Sequence, residues 1–455
     1  MNEVIVVGGG LAGCEAAWQL ARRGIPVRLI EMRPERMTGA HRTGCLAELV
    51  CSNSLGSSLP DRAAGWLVDE LSRCGSLLIE VARECAVPAG GALAVDRDRF
   101  ACTVTHRIEA HPNIHVERRE VTAVPPPPCI LATGPLTSPA LSGDLERMVG
   151  QQALFFYDAI APIVAGDSLD RSIVFSASRR GRGVLPEGDY LNCPFTREEY
   201  DRFVEALRTA ERAPLAEFER EIDQGVKAGE GPFFEGCLPI EVLAARNPMA
   251  LAYGPLRPVG LRDPRTGRRP WAVLQLRRED LAGERYNLVG CQTNLRVAEQ
   301  ERVFRMVPGL SKAQFLRYGQ MHRNTFLNAP RLLQPDLSLR EHPGIWVAGQ
   351  LAGIEGYLGN IATGLVAGIQ AARWVRGQPP IEWPTSHMIG ALLNALCHSD
   401  PAWFQPIKAN FGLLPPLPET PSSRAVRLEL WTRRALEDWP ALKRELQRDL
   451  VESVR

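Results

Sequence analysis

Two cysteines stand in surroundings that suit a reactive thiol. Cys51 lies in a polar stretch with Ser52 and Asn53, and Cys237 lies between Gly236 and Pro239, which predicts a turn and not a core strand. A cysteine thiolate is a strong nucleophile and can also leave again, so such residues suit covalent catalysis. Most single cysteines, however, are inert small hydrophobic residues. The residue types alone leave both interpretations open.

A disulfide reductase is the first class of enzyme that this cysteine pattern brings to mind. Such flavoenzymes resemble one another in a C-x-x-x-x-C pair just after the second strand, whereas Cys45 and Cys51 are separated by five residues. We therefore discount that class. The chain has 11 cysteines but no C-x-x-C pair, so we expect no structural zinc or other metal. Together with the lack of an export signal, this cysteine usage predicts reduced thiols in the cytoplasm.

A glycine-rich turn near the start of the chain predicts a dinucleotide site. Gly8, Gly10 and Gly13 form G-x-G-x-x-G between an apolar, β-branched run and a helical pattern. These glycines allow a tight turn, close approach of a pyrophosphate and close packing of helix on strand. Glu31 follows 18 residues after Gly13, where a ribose hydroxyl needs an acceptor. The alternative is a plain tight turn that leaves Glu31 solvated.

Two later strands are expected to complete the same domain. One ends in Ala132-Thr133-Gly134, and the other ends in Gly349-Gln350 and precedes a helix rich in small residues. We interpret the dinucleotide as FAD because no second G-x-G-x-x-G occurs. The predicted fold class is α/β, a Rossmann-like FAD-binding domain of glutathione-reductase type with an α+β insertion domain.

A chain of 455 residues is too long for a single compact core. We predict a first part of the FAD domain over 1–154, an insertion domain for substrate over 155–324, and the second part of the FAD domain with C-terminal helices over 325–455. Predicted helices cover 62–85, a segment capped by Asp96, 196–209 and 424–454. Predicted strands of the insertion domain cover 155–159 and 172–175.

Charge and hydropathy limit the partners. The net charge is +1, so no global field attracts nucleic acid. Two basic turns, one with Arg179 and Arg180 and one with Arg268 and Arg269, are either solvated tips or local phosphate contacts. The first strand starts at residue 3 and no apolar run reaches membrane-spanning length, so we expect no signal peptide and no membrane contact.

Several long, irregular blocks give the chain a specific resemblance. These blocks occur in the same order along nearly the whole chain as in the folate- and FAD-dependent tRNA (uracil-5-)-methyltransferases, and the chain therefore resembles this family, the TrmFO family. The blocks cover 31–34, 49–55, 95–97, 132–138, 190–194, 234–241, 319–326, 348–350 and 355–357. The family pattern differs at Cys291, where an aromatic residue is expected, and at Gly359 and Asn360, where an acid and a serine are expected.

The resemblance implies a reaction and a set of site residues. NADPH or NADH would reduce FAD, 5,10-methylenetetrahydrofolate would donate the carbon, and uridine in the T-loop of tRNA would become 5-methyluridine. Cys51 and Cys237 would be the catalytic cysteines, and which of them attacks uracil stays open. His322 and Arg323 would hold folate and Tyr357 would lie near the flavin, although His322 also fits a helix-surface histidine. The implied FAD-binding residues are Gly8, Gly10, Gly13, Glu31, Arg33, Ala132, Thr133, Gly134, Gly349 and Gln350.

Two alternatives share most of these features. One is the related flavoprotein that modifies wobble uridine, which is much longer and works with a GTPase. The other is a tRNA-binding protein in which the flavin is only structural. In the main hypothesis the partners are tRNA, folate and a nicotinamide, with no obligate protein partner. A tRNA substrate makes phosphate contacts by the two basic turns a stronger alternative to solvated tips.

Overall fold

The computed structural model describes residues 3–151, 154–213, 238–419 and 421–450. In chain order the strands are β1 Val4–Val7, β2 Val27–Glu31, β3 Ser54–Ser57, β4 Ala86–Val87, β5 Ala92–Val95, β6 Ile114–Arg118, β7 Cys129–Leu131, β8 Leu154–Ala159, β9 Ile163–Ala165, β10 Phe175–Ala177, β11 Tyr190–Phe195, β12 Ala272–Arg278, β13 Arg285–Leu288, β14 Phe315–Arg317, β15 Met321–Phe326 and β16 Ile345–Val347. The α-helices are α1 Leu11–Ala21, α2 Ala63–Arg73, α3 Leu77–Glu84, α4 Arg97–Glu109, α5 Pro139–Val149, α6 Arg197–Thr209, α7 Ile240–Arg246, α8 Ala250–Tyr253, α9 Val297–Phe304, α10 Ala329–Leu332, α11 Tyr357–Val375, α12 Met388–His398 and α13 Arg424–Arg448.

A parallel sheet forms the base of the cofactor domain. Its strand order is β16-β7-β1-β2-β6, and every neighbouring pair is parallel. The apolar run of β1 is buried except for Ile5, as expected for a strand covered on both faces. Since β16 pairs with β7 after some 200 intervening residues, the chain returns to its first sheet. The carboxyl ends of all five strands therefore share one edge, where α/β folds bind ligands.

Helices α1 and α11 pack closely on this sheet. A Cβ on Gly364 of α11 would stand 2.2 Å from the carbonyl oxygen of Ala12, so only glycine lets the two helices approach this far. Around them lies an extensive apolar core that reaches α2, α3 and α12. The core fixes the start of α1, and with it the glycine turn.

A second sheet lies in the insertion region. Its order is β10-β11-β12-β13-β9-β14, its paired strands are antiparallel, and a separate apolar core covers one face with α6, α7 and α9. Strands β8 and β15 form a two-stranded ribbon at the two crossings between the regions. Within the described residues, no helix combines the length and hydropathy needed to cross a membrane.

Several predicted helices and strands can be compared directly with the structure. Asp96 caps α4 by accepting from Arg99 N at 3.1 Å, and Thr196 caps α6, so both predicted starts are confirmed. The single helix predicted over 62–85 is wrong. Gly75 takes a φ of +74° between α2 and α3, and the Ser76 hydroxyl then caps the second helix.

The strand predicted over 172–175 is also wrong, because most of that segment is a turn. The Asp170 side chain accepts from Ser172 N at 2.9 Å, and the Asp170 carbonyl accepts from Val174 N at 3.0 Å. An aspartate that bonds the backbone two residues on favours such a turn over a strand. The strand therefore begins only at Phe175.

Candidate cofactor and active site

A cavity opens at the carboxyl edge of the parallel sheet. Nine of the ten residues implied for FAD line it, namely Gly8, Gly10, Glu31, Arg33, Ala132, Thr133, Gly134, Gly349 and Gln350. They come from the ends of β1, β2, β7 and β16, so strand order alone brings them together. Gly13 does not line the cavity and acts one helical turn behind it.

The glycine turn is closed on one side and open on the other. Gly8 has a φ of +102°, and a Cβ on Gly13 would stand 1.8 Å from the Gly8 carbonyl oxygen. A Cβ on Gly10, in contrast, would have no protein atom within 4 Å. The open position lies at the N-terminus of α1, where free backbone N–H groups and the helix dipole favour phosphate. The residues present therefore fit the pyrophosphate of a dinucleotide.

Glu31 is held as a buried carboxylate, so the interpretation that leaves it solvated is wrong. It accepts from Gly9 N at 2.8 Å and from Arg33 N and Nε at 2.9 and 3.0 Å. Burial raises the pKa of Glu31, but the charge and hydrogen bonds of Arg33 outweigh this effect and leave that pKa below its usual value. Glu31 thus stays ionised and ties the glycine turn to the end of β2. Arg33 also pairs with Glu48 at 3.2 Å.

A second cavity adjoins the first and contains Cys51. The two share six lining residues, which are Val50, Pro135, Leu136, Gln350, Tyr357 and Asn360. The Cys51 N–H donates to the Tyr357 hydroxyl at 2.9 Å. Tyr357 opens α11, so the N-terminus of that helix lies where the two cavities meet. A ligand in the first cavity that extends past Gln350 would enter the cavity that contains Cys51.

A buried ion pair fixes the Cys51 loop from one side. Arg97 donates to the carbonyl oxygens of Leu49 and Cys51, the latter at 3.2 Å, and pairs with Glu279 at 2.9 Å. Both charged groups lie almost entirely out of water, with side-chain exposures of 10% and 2%. Arg97 belongs to the cofactor domain and Glu279 to the end of the insertion sheet. The pair therefore locks the loop between the two regions.

Two further arginines reach the loop from the insertion sheet. Arg277 of β12 donates to Asn53 Oδ1 at 2.7 Å and to Ser52 Oγ at 2.6 Å, and Arg317 of β14 donates to the Val50 carbonyl at 2.7 Å. Sequence reasoning missed both residues. Arg277 lies 224 positions from Asn53 along the chain, and local patterns carry no signal for such a contact.

The Cys51 thiol holds its proton at neutral pH. Burial, followed by the negative charges of Asp158 and Glu355, raises the pKa of Cys51 to about 12, while Arg97 and Arg317 act in the opposite direction. Asp158 and Glu355 line the same cavity as Cys51, although sequence reasoning assigned them no role. Two carboxyl groups beside a buried thiol are suited to accept and return protons. A nucleophilic Cys51 needs such a proton acceptor, or a change in its surroundings when substrate binds.

The remaining predicted site residues belong to β15, whose Asn324 lines this cavity, or lie outside the described residues. His322 and Arg323 belong to β15, where they stand opposite Asp158 and Tyr157 in the ladder, so the helix-surface interpretation of His322 is wrong. Cys237 lies outside the described residues. Three residues after Cys237, the backbone N–H of Ile240 donates to the carbonyl oxygen of Gln292 at 2.7 Å. Gln292 lines the second cavity.

The ion pair of Arg97 and Glu279 gives a first testable prediction. Glu279→Gln keeps the shape but leaves Arg97 buried without its counter-charge, which we expect to lower the free energy of unfolding by about 3 kcal/mol. A denaturant titration measures this. Glu84→Gln is the matched control, because Glu84 pairs with Arg107 at 41% and 39% side-chain exposure and should cost at most about 1 kcal/mol. Equal effects of the two substitutions would show that the buried pair does not hold the loop.

The described fold and cavities define a Rossmann-type α/β protein with a dinucleotide-binding crevice. The family model of glucose inhibited division protein A matches residues 3–379. The structure of Aquifex aeolicus GidA aligns with a TM-score of 0.69 over 99% of this chain and 74% of that chain, at 17% identity. This likeness supports the fold alone.

Sequence relatives identify the family more narrowly. A protein of Moorella thermoacetica named methylenetetrahydrofolate–tRNA-(uracil-5-)-methyltransferase TrmFO is 54% identical over 96% of this chain and 98% of its own length. A relative of the same name from Heliobacterium modesticaldum is 51% identical over 98% and 99%. The chain belongs to the TrmFO family of methylenetetrahydrofolate–tRNA-(uracil-5-)-methyltransferases, within the wider GidA family. The expected family is thereby confirmed.

Proposed function

We propose that this protein methylates C5 of a uridine in the T-loop of tRNA, with 5,10-methylenetetrahydrofolate as the carbon donor and NADPH or NADH as the reductant. The observation that carries the proposal is the position of Cys51 in a large cavity that adjoins the dinucleotide crevice. A thiol at this junction serves a reaction that needs both a nucleophile and a redox cofactor. The names of the relatives support the same reaction.

FAD is the cofactor we assign to the first cavity. The open space at Gly10, the start of α1 and the fixed carboxylate of Glu31 fit its pyrophosphate and ribose, and Gly349 and Gln350 lie further along the same crevice. Reduced FAD supplies the hydride that turns the transferred one-carbon unit into a methyl group. We assign the folate and the uracil to the second cavity, which continues past Tyr357 and contains Cys51.

A cysteine thiolate can activate C5 of the uracil for attack on the one-carbon unit. C5 of uracil is a poor nucleophile until a thiolate adds to C6 and forms an enolate. C5 then attacks the methylene carbon of the folate donor, and a base removes the C5 proton as the tetrahydrofolate nitrogen leaves. A hydride added to the resulting exocyclic methylene would make the methyl group and expel the thiolate as the C5–C6 double bond re-forms. One of Cys51 and Cys237 performs the addition, and the other serves the carbon-transfer side or acts as acid and base. Asp158 and Glu355 are the described carboxyl groups that could exchange the protons.

A product assay tests the proposal. The protein is incubated with unmodified tRNA, methylenetetrahydrofolate and NADPH, and the tRNA is digested for nucleoside analysis. We expect 5-methyluridine only when every component is present. Bleaching of the flavin by NADPH without any 5-methyluridine would overturn the proposed reaction, and absence of both would favour a structural flavin.

A further inference from the structure

A loop of the insertion sheet carries arginines that have no acidic partner in the part of the chain that the structure describes. The loop over 178–189 connects β10 to β11 and exposes Arg180 and Arg182, and Arg257 is exposed on a neighbouring segment. Among the described residues, none of these three guanidinium groups forms an ion pair or a hydrogen bond. Other arginines of the insertion region do pair with a nearby carboxylate, as Arg302 does with Glu299.

The structure holds these charges together against their repulsion. Arg179 donates to the carbonyl oxygens of Pro255 and Arg257, at 3.3 and 2.8 Å, and so ties the loop to the second segment. Burial and the nearby charge of Arg257 lower the pKa of Arg179 to about 10. Arg180 adopts a φ of +59°, a left-handed conformation that costs a non-glycine residue about 1 kcal/mol or more. Strain and repulsion at one place point to a function there.

Hydrogen bonds hold both ends of the loop in place. The Asp189 carboxylate, 2% exposed, accepts from Val184 N and Leu185 N at 2.9 Å and from Gly90 N at 2.6 Å. Asp189 N in turn donates to Ser178 Oγ at 2.9 Å. These bonds fix both ends of the loop and attach it to the cofactor domain. The arginine side chains therefore start from a defined backbone.

The loop lies close to the Cys51 cavity. It leads into Tyr190, whose Cα partner in β12 is Arg277, and Arg277 lines the cavity and binds Ser52. Burial raises the pKa of Tyr190, and the nearby charges of Arg277 and Arg179 act in the opposite direction. Tyr253 is 79% exposed two residues before Pro255, and an exposed aromatic ring beside arginines is a common stacking surface for nucleobases.

The other basic turn lies in different surroundings. Arg268 and Arg269 precede Ala272, which pairs with Phe195 at the opposite end of β12, about 17 Å from Arg277. Arg265 in that turn is neutralised by Asp263 at 2.7 Å and lies near Asp170 and Glu199. Arg268 and Arg269 also lack an acidic partner among the described residues, but the acidic groups around Arg265 weaken the positive charge of this turn and make it the poorer phosphate site.

We infer that Arg180 and Arg182, together with Arg257 on the segment that Arg179 holds against their loop, bind tRNA phosphates, and that the turn with Arg268 and Arg269 does not. The inference rests on the proposed function for the identity of the RNA. Phosphate contacts of this kind position the substrate without reading its sequence. Each contact also adds to the salt dependence of binding.

Binding of unmodified tRNA over a salt series tests this surface directly. The triple variant Arg180→Ala/Arg182→Ala/Arg257→Ala should weaken binding by about tenfold or more and reduce the slope of log Kd against log salt by about 2 to 3. The double variant Arg268→Ala/Arg269→Ala should stay within about twofold of the parent with an unchanged slope. Flavin content and flavin bleaching by NADPH should be the same in all three proteins.

The outcomes separate this inference from the proposed reaction. An unchanged affinity and slope in the triple variant would overturn the inference, and so would an equal loss in the double variant. If the parent binds tRNA but forms no 5-methyluridine, the reaction fails, while the binding data still decide where the RNA contacts the protein. A loss of flavin in the triple variant would mean that its effect is structural and would also count against the surface.

Discussion

Cys51→Ser is expected to lower 5-methyluridine formation by at least about 10³-fold while leaving the flavin bound. A serine hydroxyl has nearly the same size but is a far weaker nucleophile than a thiolate. The loop should keep its shape, since its described hydrogen bonds use the Cys51 backbone N–H and carbonyl groups. Nucleoside analysis measures the activity, and the visible flavin absorbance measures cofactor content.

Cys237→Ser, tested beside it, decides between the two candidate nucleophiles. With tRNA whose target uridine is replaced by 5-fluorouridine, the C5 fluorine cannot leave as a proton does, so the thiol that adds to C6 stays attached. Only the variant that lacks this thiol should fail to form the covalent complex. Cys102→Ser is the matched control, because Cys102 is exposed on α4 and faces Cys45 at 3.8 Å instead of the cavity. Full activity of both the Cys51 and Cys237 variants would refute cysteine catalysis.

The local parts of this fold were accessible from sequence because their causes are local. Residue size and periodicity predict the local structure at three places: the run Val4–Val7, the three glycines after it and the small residues of α11. The errors also have local causes, since a left-handed Gly75 and the Asp170 turn interrupt patterns that otherwise read as continuous. The predicted domain boundaries and the roles of the site residues stay predictions.

The environment of Cys51 was not accessible in the same way. Its loop is positioned by Arg97, Arg277, Glu279 and Arg317, most of which are more than 200 residues away along the chain. No periodicity or motif near Cys51 encodes those contacts; they arise only when the insertion sheet packs on the cofactor domain. The same holds for the two basic turns, whose arginines look alike in sequence but whose contacts differ in the structure, since Arg265 of one pairs with Asp263 and Arg179 of the other binds the carbonyl oxygens of a second segment.

Gly10→Val is the substitution we expect to separate folding from cofactor binding. Gly10 has a φ of −78° and a ψ of −167°, which any residue can adopt, and its Cβ position is clear of protein atoms. The valine methyl groups would instead occupy the space beside the N-terminus of α1 that we assign to the pyrophosphate. We expect flavin content to fall at least about tenfold, and the stability of the flavin-free variant to match that of the flavin-free parent within about 1 kcal/mol.

Gly143→Val supplies the matched control for that prediction. Gly143 of α5 also has no atom within 4 Å of its Cβ position, but it lies outside the cofactor cavity. It should therefore retain the flavin. Gly13→Ala marks the other extreme, because its Cβ would collide with the Gly8 carbonyl and should disrupt the turn itself. Normal flavin content in Gly10→Val would mean that the pyrophosphate does not approach this backbone, and the assignment of FAD to the crevice would fail even though the turn has the expected form.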